Sequence, residues 1–285
     1  MRLKAYAKIN LSLDLTGILP DGYHAIDTVM QSVSLCDILT VEAARDIGLV
    51  CSAPGVPADS RNTAYRAAEY FFEKAGIHGG ASILIEKHIP SQAGLGGGSA
   101  DAAAVLYALN KIYPGAVAEN DLMSLAVRVG ADVPFCLTGG TRLCLGKGEI
   151  MTALPHFGAY ALLVKPDAGV STAEAFSRFD KAADLLHPDN AAVLECYKHS
   201  DGRSAAGYSL NIFEQLVTLP EGEKIKTALI SAGAYHASMS GSGSCFFGLF
   251  DDEKKCLSAA DALAETAPFV YPCRTVKTGV EIMRE

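Results

Sequence analysis

The chain of 285 residues is long enough for one large domain or two modest ones, and for a core that needs no disulfide or structural metal. Hydrophobic residues make up 49% and charged residues 20%, with no low-complexity tract, which argues against disorder, collagen and coiled coil. Lys plus Arg number 24 against 32 Asp plus Glu, a net charge of −8, so nucleic acid and anionic membrane are not expected partners, and an anionic substrate must be held by a few placed donors.

From Leu3 to Leu15 apolar and polar residues alternate without a break, which predicts a long, half-buried strand with Lys8 and Asn10 on one side. Pro20-Asp21-Gly22 is a turn, and β-type segments follow at 28–43 and 47–53. Arg61–Ala75 reads as an amphipathic helix; then come a strand at Ala81–Glu86, a loop at Pro90–Gly98 and a helix at Ser99–Tyr113. A helix from Asp121 stops at Gly130, with extended segments at Phe135–Leu137 and Thr141–Leu145. Beyond 155–160 the pattern restarts with a strand at Tyr160–Val164, helices at 172–187, 188–199, 221–232 and 253–266, and strands at Ala237–Met239, Cys245–Phe250 and Arg274–Val280. The expected class is α+β in two lobes, residues 1–157 and 158–285.

The eight cysteines form no CxxC pair and sit in apolar company, the pattern of buried reduced thiols. The opening MRLKAYAKINLSLDL is interrupted by Lys4, Lys8, Asn10 and Asp14, and no run approaches ~18 uninterrupted apolar residues, so an intracellular, cytoplasmic protein is expected. No motif speaks to oligomeric state. Seven histidines show neither HxxxH nor HxH spacing, so no protein-only metal site is expected.

Chemistry concentrates in four places. Pro90-Ser91-Gln92-Ala93-Gly94-Leu95-Gly96-Gly97-Gly98-Ser99-Ala100-Asp101, between a strand and a helix, is a phosphate cradle by construction: glycines admit oxygen to the backbone N–H groups, and the helix adds its positive end. It lacks the Walker Lys-Ser/Thr, and counted from Gly94 the sixth position is Ser99, not the glycine of a dinucleotide fingerprint. The alternative is a flexible loop with Ser99 as a plain helix cap. In Gly130-Ala131-Asp132-Val133-Pro134-Phe135, Asp132 could take a proton from an alcohol or hold a metal, or merely cap a helix, and Pro134 favours an extended Val133. Lys8 and Asn10, with Tyr23 and His24 after the turn, could meet a developing phosphoryl charge and a planar ligand, or be a solvated strand face and a surface hairpin. Ser240-Gly241-Ser242-Gly243 is a second anion nest or an ordinary hairpin connection.

Taken together, Ala7-Lys8-Ile9-Asn10-Leu11, Asp21-Gly22-Tyr23-His24, the glycine loop, Gly130–Phe135 and Ser240–Gly243 resemble the GHMP small-molecule kinases over nearly the whole chain. Within them they resemble the branch that phosphorylates 4-diphosphocytidyl-2-C-methyl-D-erythritol for non-mevalonate isoprenoid synthesis. The resemblance implies a two-lobe fold, with an N-terminal lobe of the ribosomal S5 domain 2 type, a left-handed crossover in it, and a C-terminal α+β lobe. It implies ATP with Mg²⁺ on Pro90–Ala100, Asp132 as catalytic base with Lys8 beside it, and Asn10, Tyr23 and His24 around the cytidine diphosphate moiety, the ring on cytosine. Ser240–Gly243 would support the phosphate loop. Ala100 stands where the family usually has a second serine, Ala25 replaces a common glutamate, and Asn211-Ile212-Phe213-Glu214 matches a family segment in part. The alternatives are a GHMP kinase for homoserine, mevalonate or a sugar, a silent metabolite sensor, and an RNA-binding module.

Overall fold

The computed structural model describes residues 1–284. Two long antiparallel strands, β1 (Arg2–Ile18) and β2 (His24–Ala44), form its spine. Each is long because it serves more than one neighbour. β2 runs along β1, while its first half takes β5 (Thr141–Gly146) and its second half takes β4 (Gly80–Glu86). β3 (Gly48–Cys51) lies parallel to β4, joined to it through α1 (Thr63–Ala75); β6 (Ile150–Ala153) flanks β5, and the last strand, β11 (Val280–Ile282), returns to pair with β1. The result is a seven-stranded sheet.

Helices cover this sheet for reasons visible in their composition. Ala64, Ala67, Ala68, Phe71 and Phe72 form the buried face of α1; the Asn62 side chain accepts from the Ala64 N–H at 2.9 Å, and Gly76 ends the helix in the left-handed region. The alanine-rich α2 (Gly97–Ile112) is buried almost all round and packs on α1, β1 and β2. α3 (Glu119–Val129) and α4 (Val133–Thr138) complete the layer.

The second lobe is a four-stranded antiparallel sheet ordered β10 (Phe269–Arg274), β7 (Tyr160–Lys165), β9 (Phe246–Phe250), β8 (His236–Met239). Between β7 and β8 run α5 (Thr172–Phe179), α6 (Asn190–Lys198), α7 (Gly202–Ala206), a 3₁₀ turn at Ile212–Gln215, and α8 (Gly222–Ser231); α9 (Glu253–Leu263) precedes β10. The architecture is α+β in two lobes, and its buried side chains form two cores: the first runs from the large sheet into the second lobe through Ala161, Tyr197 and Phe247, and the second gathers Leu13 and Leu15 with Leu162, Val164 and Phe250. All eight cysteines are free thiols, five of them buried.

Several elements differ from the sequence expectation. Phe135–Leu137 is helical, not extended, and Val133 starts that helix, because Pro134 falls in its first turn, where a missing N–H costs nothing. The helix expected over 172–187 stops at Phe179, and the segment expected as one strand at Arg274–Val280 takes in the last residue of β10, the connection after it and the first residue of β11. The helix expected from Ser99 begins at Gly97.

The largest difference lies in β1. Alternation predicts one buried and one solvated face, yet Lys8, Asn10, Ser12 and Asp14 are only 1% to 7% exposed. The second lobe covers the far half of this face: Ser12 Oγ donates to Asn190 Oδ1 at 2.9 Å, and the Leu13 N–H donates to the Leu210 carbonyl at 2.9 Å. Nor do the odd-numbered leucines share one face. Asn10 pairs with Met30 and Ser12 with Val29, so Leu11 is an unpaired extra residue and the strand bends there. Residues up to Leu11 enter the first core, whereas Leu13 and Leu15 enter the second.

Candidate active site

Lys8 and Asn10 of β1 look into a cleft of about 650 Å³ between the lobes. At its floor Lys8 Nζ donates to Asn10 Oδ1 at 2.7 Å and lies 3.5 Å from Asp132 Oδ2. Asn10 Nδ2 donates to Thr28 Oγ1 at 2.9 Å, and Thr28 Oγ1 donates to the Ser12 carbonyl at 2.6 Å, so Asn10 presents its oxygen to the ammonium. The Lys8 side chain is 5% exposed and that of Asp132 is 31% exposed. A buried ammonium is thus aimed at a carboxylate that a ligand can reach. Asp132 caps α4 by position only; its side chain makes no capping bond, which leaves it free for the cleft.

The glycine loop forms the facing wall. Gly96, at φ 71°, caps α2, and no side chain bonds the helix N-terminus, so the first-turn N–H groups of Gly97, Gly98 and Ser99 stand at the cleft without side-chain acceptors. Ser99 lies inside the helix and is not its cap. Ala100 is fully buried and absent from the cleft wall, so the hydroxyl missing there would have pointed away from a ligand in this arrangement.

Neighbours hold this loop on every side. The Lys8 N–H donates to the Leu95 carbonyl at 3.0 Å, and Thr63 Oγ1 donates to the Gly98 carbonyl at 2.6 Å. From the second lobe, Ser240 Oγ donates to the Gly94 carbonyl at 2.9 Å and the Cys245 N–H to the Ala93 carbonyl at 3.1 Å. The Ser240–Gly243 turn is fixed in its own right: Asn211 Nδ2 donates to the Met239 carbonyl at 2.7 Å and the Gly241 carbonyl at 2.8 Å, while Glu214 Oε1 accepts from the Met239 N–H at 2.8 Å. Gly241 and Ser242 reach the cleft wall; Ser240 and Gly243 stand behind it.

Tyr23 and His24 do not line the cleft but adjoin residues that do. His24 Nε2 is 2.7 Å from Asp180 Oδ1, and its ring lies 4.8 Å from that of Phe176. Phe176 in turn packs edge-on against Phe213 at 5.0 Å, and both line the cleft. Tyr23 is 61% exposed, with Lys147 Nζ 4.0 Å from its ring centroid. Sequence reasoning missed Phe176, Phe213, Thr172, Thr63, Lys87 and Lys147, all on the cleft wall. Only Phe213 carried a signal, as part of the Asn211–Glu214 segment.

A buried lysine beside an accessible carboxylate, facing a helix N-terminus whose N–H groups are free of side-chain acceptors, can serve the positioning and charge stabilisation that phosphoryl transfer asks for. The family model described as GHMP kinases N terminal domain matches residues 62–140, and that described as GHMP kinases C terminal matches residues 174–268. The chain belongs to the GHMP kinases. The kinase is 42% identical over 97% of its length to the whole of a 4-diphosphocytidyl-2-C-methyl-D-erythritol kinase of Clostridium botulinum. It is 38% identical over 99% of its length to 98% of the protein of that name from Thermoanaerobacter pseudethanolicus. A solved 4-(cytidine 5′-diphospho)-2C-methyl-D-erythritol kinase superposes with a TM-score of 0.79 at 36% identity, covering 96% of this chain and 99% of the other. A homoserine kinase from Cytophaga hutchinsonii shares the fold, with a TM-score of 0.76 at 20% identity over 99% and 97% of the two chains.

A Cβ on Gly94 would sit 1.9 Å from the Ser240 carbonyl oxygen, on a backbone at φ +72° that side chains rarely adopt. Gly94→Ala therefore pushes the loop off the second lobe in a chain that still folds. Exchange of the Cys245 amide, read by mass spectrometry, should accelerate about fivefold, the worth of one hydrogen bond. Unchanged exchange would mean that the docking of loop on turn is not closed by this contact.

Proposed function

We propose that this kinase transfers the γ-phosphoryl group of ATP to the 2-hydroxyl of 4-diphosphocytidyl-2-C-methyl-D-erythritol, in isoprenoid precursor synthesis. Likeness to kinases of that name holds along the whole chain, whereas likeness to the homoserine kinase is a likeness of fold. The observation that carries the chemistry is the convergence of Lys8, Asn10, Asp132 and the glycine loop on one cleft. A silent sensor has no use for a buried lysine beside an accessible carboxylate, and a net charge of −8 speaks against an RNA-binding module.

Asp132 is the general base in this reading. It lies 3.5 Å from Lys8 Nζ and takes the hydroxyl proton as the oxygen attacks the γ-phosphorus. Lys8, fixed by Asn10, meets the charge on the transferring group without reorganising. Pro90–Ser99 cradle the triphosphate, with Ala100 buried behind them, and Ser240–Gly243 hold that cradle. Among the described residues no group of three or more His, Cys, Asp or Glu could hold a metal, so Mg²⁺ would be carried chiefly by the phosphates, with Asp132, Asp101, Ser99 and Ser242 among the oxygen donors on the cleft wall. When bound, the ion neutralises phosphate charge.

The cytidine end falls to Tyr23 and His24 at the Phe176 side of the cleft, where Asp180 holds the His24 ring. The division of labour follows the lobes, 1–157 bearing base and cradle and 158–285 closing the cleft, with β11 crossing back to the first sheet. We also place the kinase in the cytoplasm without nucleic-acid or membrane partners; no helix among the described residues is long and apolar enough to cross a bilayer.

A coupled ADP-release assay tests the reaction. Turnover is expected with 4-diphosphocytidyl-2-C-methyl-D-erythritol and not with homoserine or mevalonate; equal turnover with either control overturns the assignment. Asp132→Asn should retain ATP binding and lose ~10²–10⁴-fold in kcat. A loss below about tenfold would remove Asp132 from the proton transfer.

Tyr23→Ala should raise KM for the cytidine substrate by roughly ten- to a hundredfold, the worth of one stacked base, with KM for ATP unchanged. Tyr23→Phe should behave as wild type, because the ring face and not the hydroxyl is used. Normal substrate binding by the alanine variant would dispose of the stacking role.

A further inference from the structure

The two ends of the cleft are joined by one buried side chain that stands outside it. Asn211 is 1% exposed and is not part of the cleft wall. Its backbone is fixed by the first lobe: Leu13 of β1 pairs with Asn211 in a parallel bridge, beside the bond from the Leu13 N–H to the Leu210 carbonyl. Its side chain then reaches two ways. Toward the glycine loop, Nδ2 donates to the Met239 carbonyl at 2.7 Å and to the Gly241 carbonyl at 2.8 Å. Toward the aromatic wall, Oδ1 accepts from the Phe213 N–H at 3.0 Å and so caps the 3₁₀ turn at Ile212–Gln215.

Both arms end on the site. Gly241 stands against the glycine loop and the lysine alike, since a Cβ on it would meet the Gly94 carbonyl oxygen at 3.2 Å and Lys8 Nζ at 3.3 Å. Phe213 packs edge-on against Phe176, whose ring lies 4.8 Å from that of His24. Two carbonyls need two N–H donors and one N–H needs an acceptor, and a primary amide offers all three at once. A flipped amide would set N–H against N–H, so the partners also fix its orientation. Burial leaves no room for water to take over a lost bond.

We propose that Asn211 is the positioning residue that joins the nucleotide cradle to the aromatic wall of the cleft, setting ATP affinity through one hydrogen-bonding arm and affinity for the cytidine substrate through the other. The proposal rests on the reading of Pro90–Ser99 as the ATP cradle and of the Phe176 side as the cytidine end. Asn211 acts only through the Ser240–Gly243 turn and through Phe213. Because both arms leave one planar amide, a ligand that stills the turn also stills the Phe213 N–H.

Kinetics and amide exchange on the full chain test this. Asn211→Ser keeps a cap for the Phe213 N–H, but its hydroxyl falls short of the two carbonyls. Its KM for ATP should rise about tenfold, the worth of two hydrogen bonds, with KM for 4-diphosphocytidyl-2-C-methyl-D-erythritol as in the wild type. Asn211→Ala removes both arms, and its KM for the cytidine substrate should rise about fivefold as well. A role in stability alone would lower Tm without separating the two constants. In the wild type, a non-hydrolysable ATP analogue should slow exchange of the Phe213 amide about fivefold, read by mass spectrometry, and the serine variant should lose that response. An equal change in both KM values for the serine variant, or no change in either, overturns the proposal. So does a wild-type Phe213 amide whose exchange ignores the bound analogue, an outcome that needs no variant to fold. A wild type that binds no analogue would overturn the cradle reading and the proposal together, whereas the other failures leave that reading standing.

Discussion

A cradle built from backbone N–H groups has no side chain with which to hold its own shape. Everything around the glycine loop answers that constraint. β1 takes the Leu95 carbonyl, α1 takes the Gly98 carbonyl, and the second lobe takes those of Ala93 and Gly94. These partners come from residues 8, 63, 240 and 245, so both lobes must fold before the loop has a single conformation. The long β1, bent at Leu11 so that its leucines feed both cores, keeps the lobes in register while this happens.

Much of this was legible in the sequence. The Lys8 and Asn10 pairing follows from a period of two, and their hydrogen bond is what a shared strand face permits. The glycine loop between a strand and a helix stood out in the sequence as a phosphate cradle, with a plain flexible loop as the alternative until the motifs were taken together. The motif resemblance then supplied what local reasoning could not, namely that Asp132 and Lys8, 124 positions apart, belong to one site.

What stayed hidden shares a physical cause. The burial of the polar face of β1 depends on α6 and the Leu210 segment arriving from the second lobe, which no periodicity within β1 reveals. Phe176 and Phe213 look like any apolar residues on short helices until tertiary packing turns them into the cleft. Asp37 sits in a strand that also carries Asp27, Thr28, Gln31 and Ser32, so nothing in the sequence marks it as the acceptor for Lys87 and for the His88 and Ile89 N–H groups.

The charges of the cleft explain how a protein of net charge −8 can serve a triphosphate and a nucleoside diphosphate at once. Its wall carries four cations, and each already has a carboxylate: Lys8 has Asp132, Lys87 has Asp37 and Asp101, Lys147 has Asp21, and Arg61 has Asp59. Long-range attraction therefore contributes little to capturing either anion, and the near field decides. The backbone N–H groups have no carboxylate to give up, so they bind phosphate without a competing ion pair. The Lys8–Asp132 pair is the longest of these contacts, at 3.5 Å, and Asp132 is the half a ligand can reach. In the proposed reaction this asymmetry has a use: a hydroxyl proton passed to Asp132 would release Lys8 from its partner while negative charge moves across the cleft.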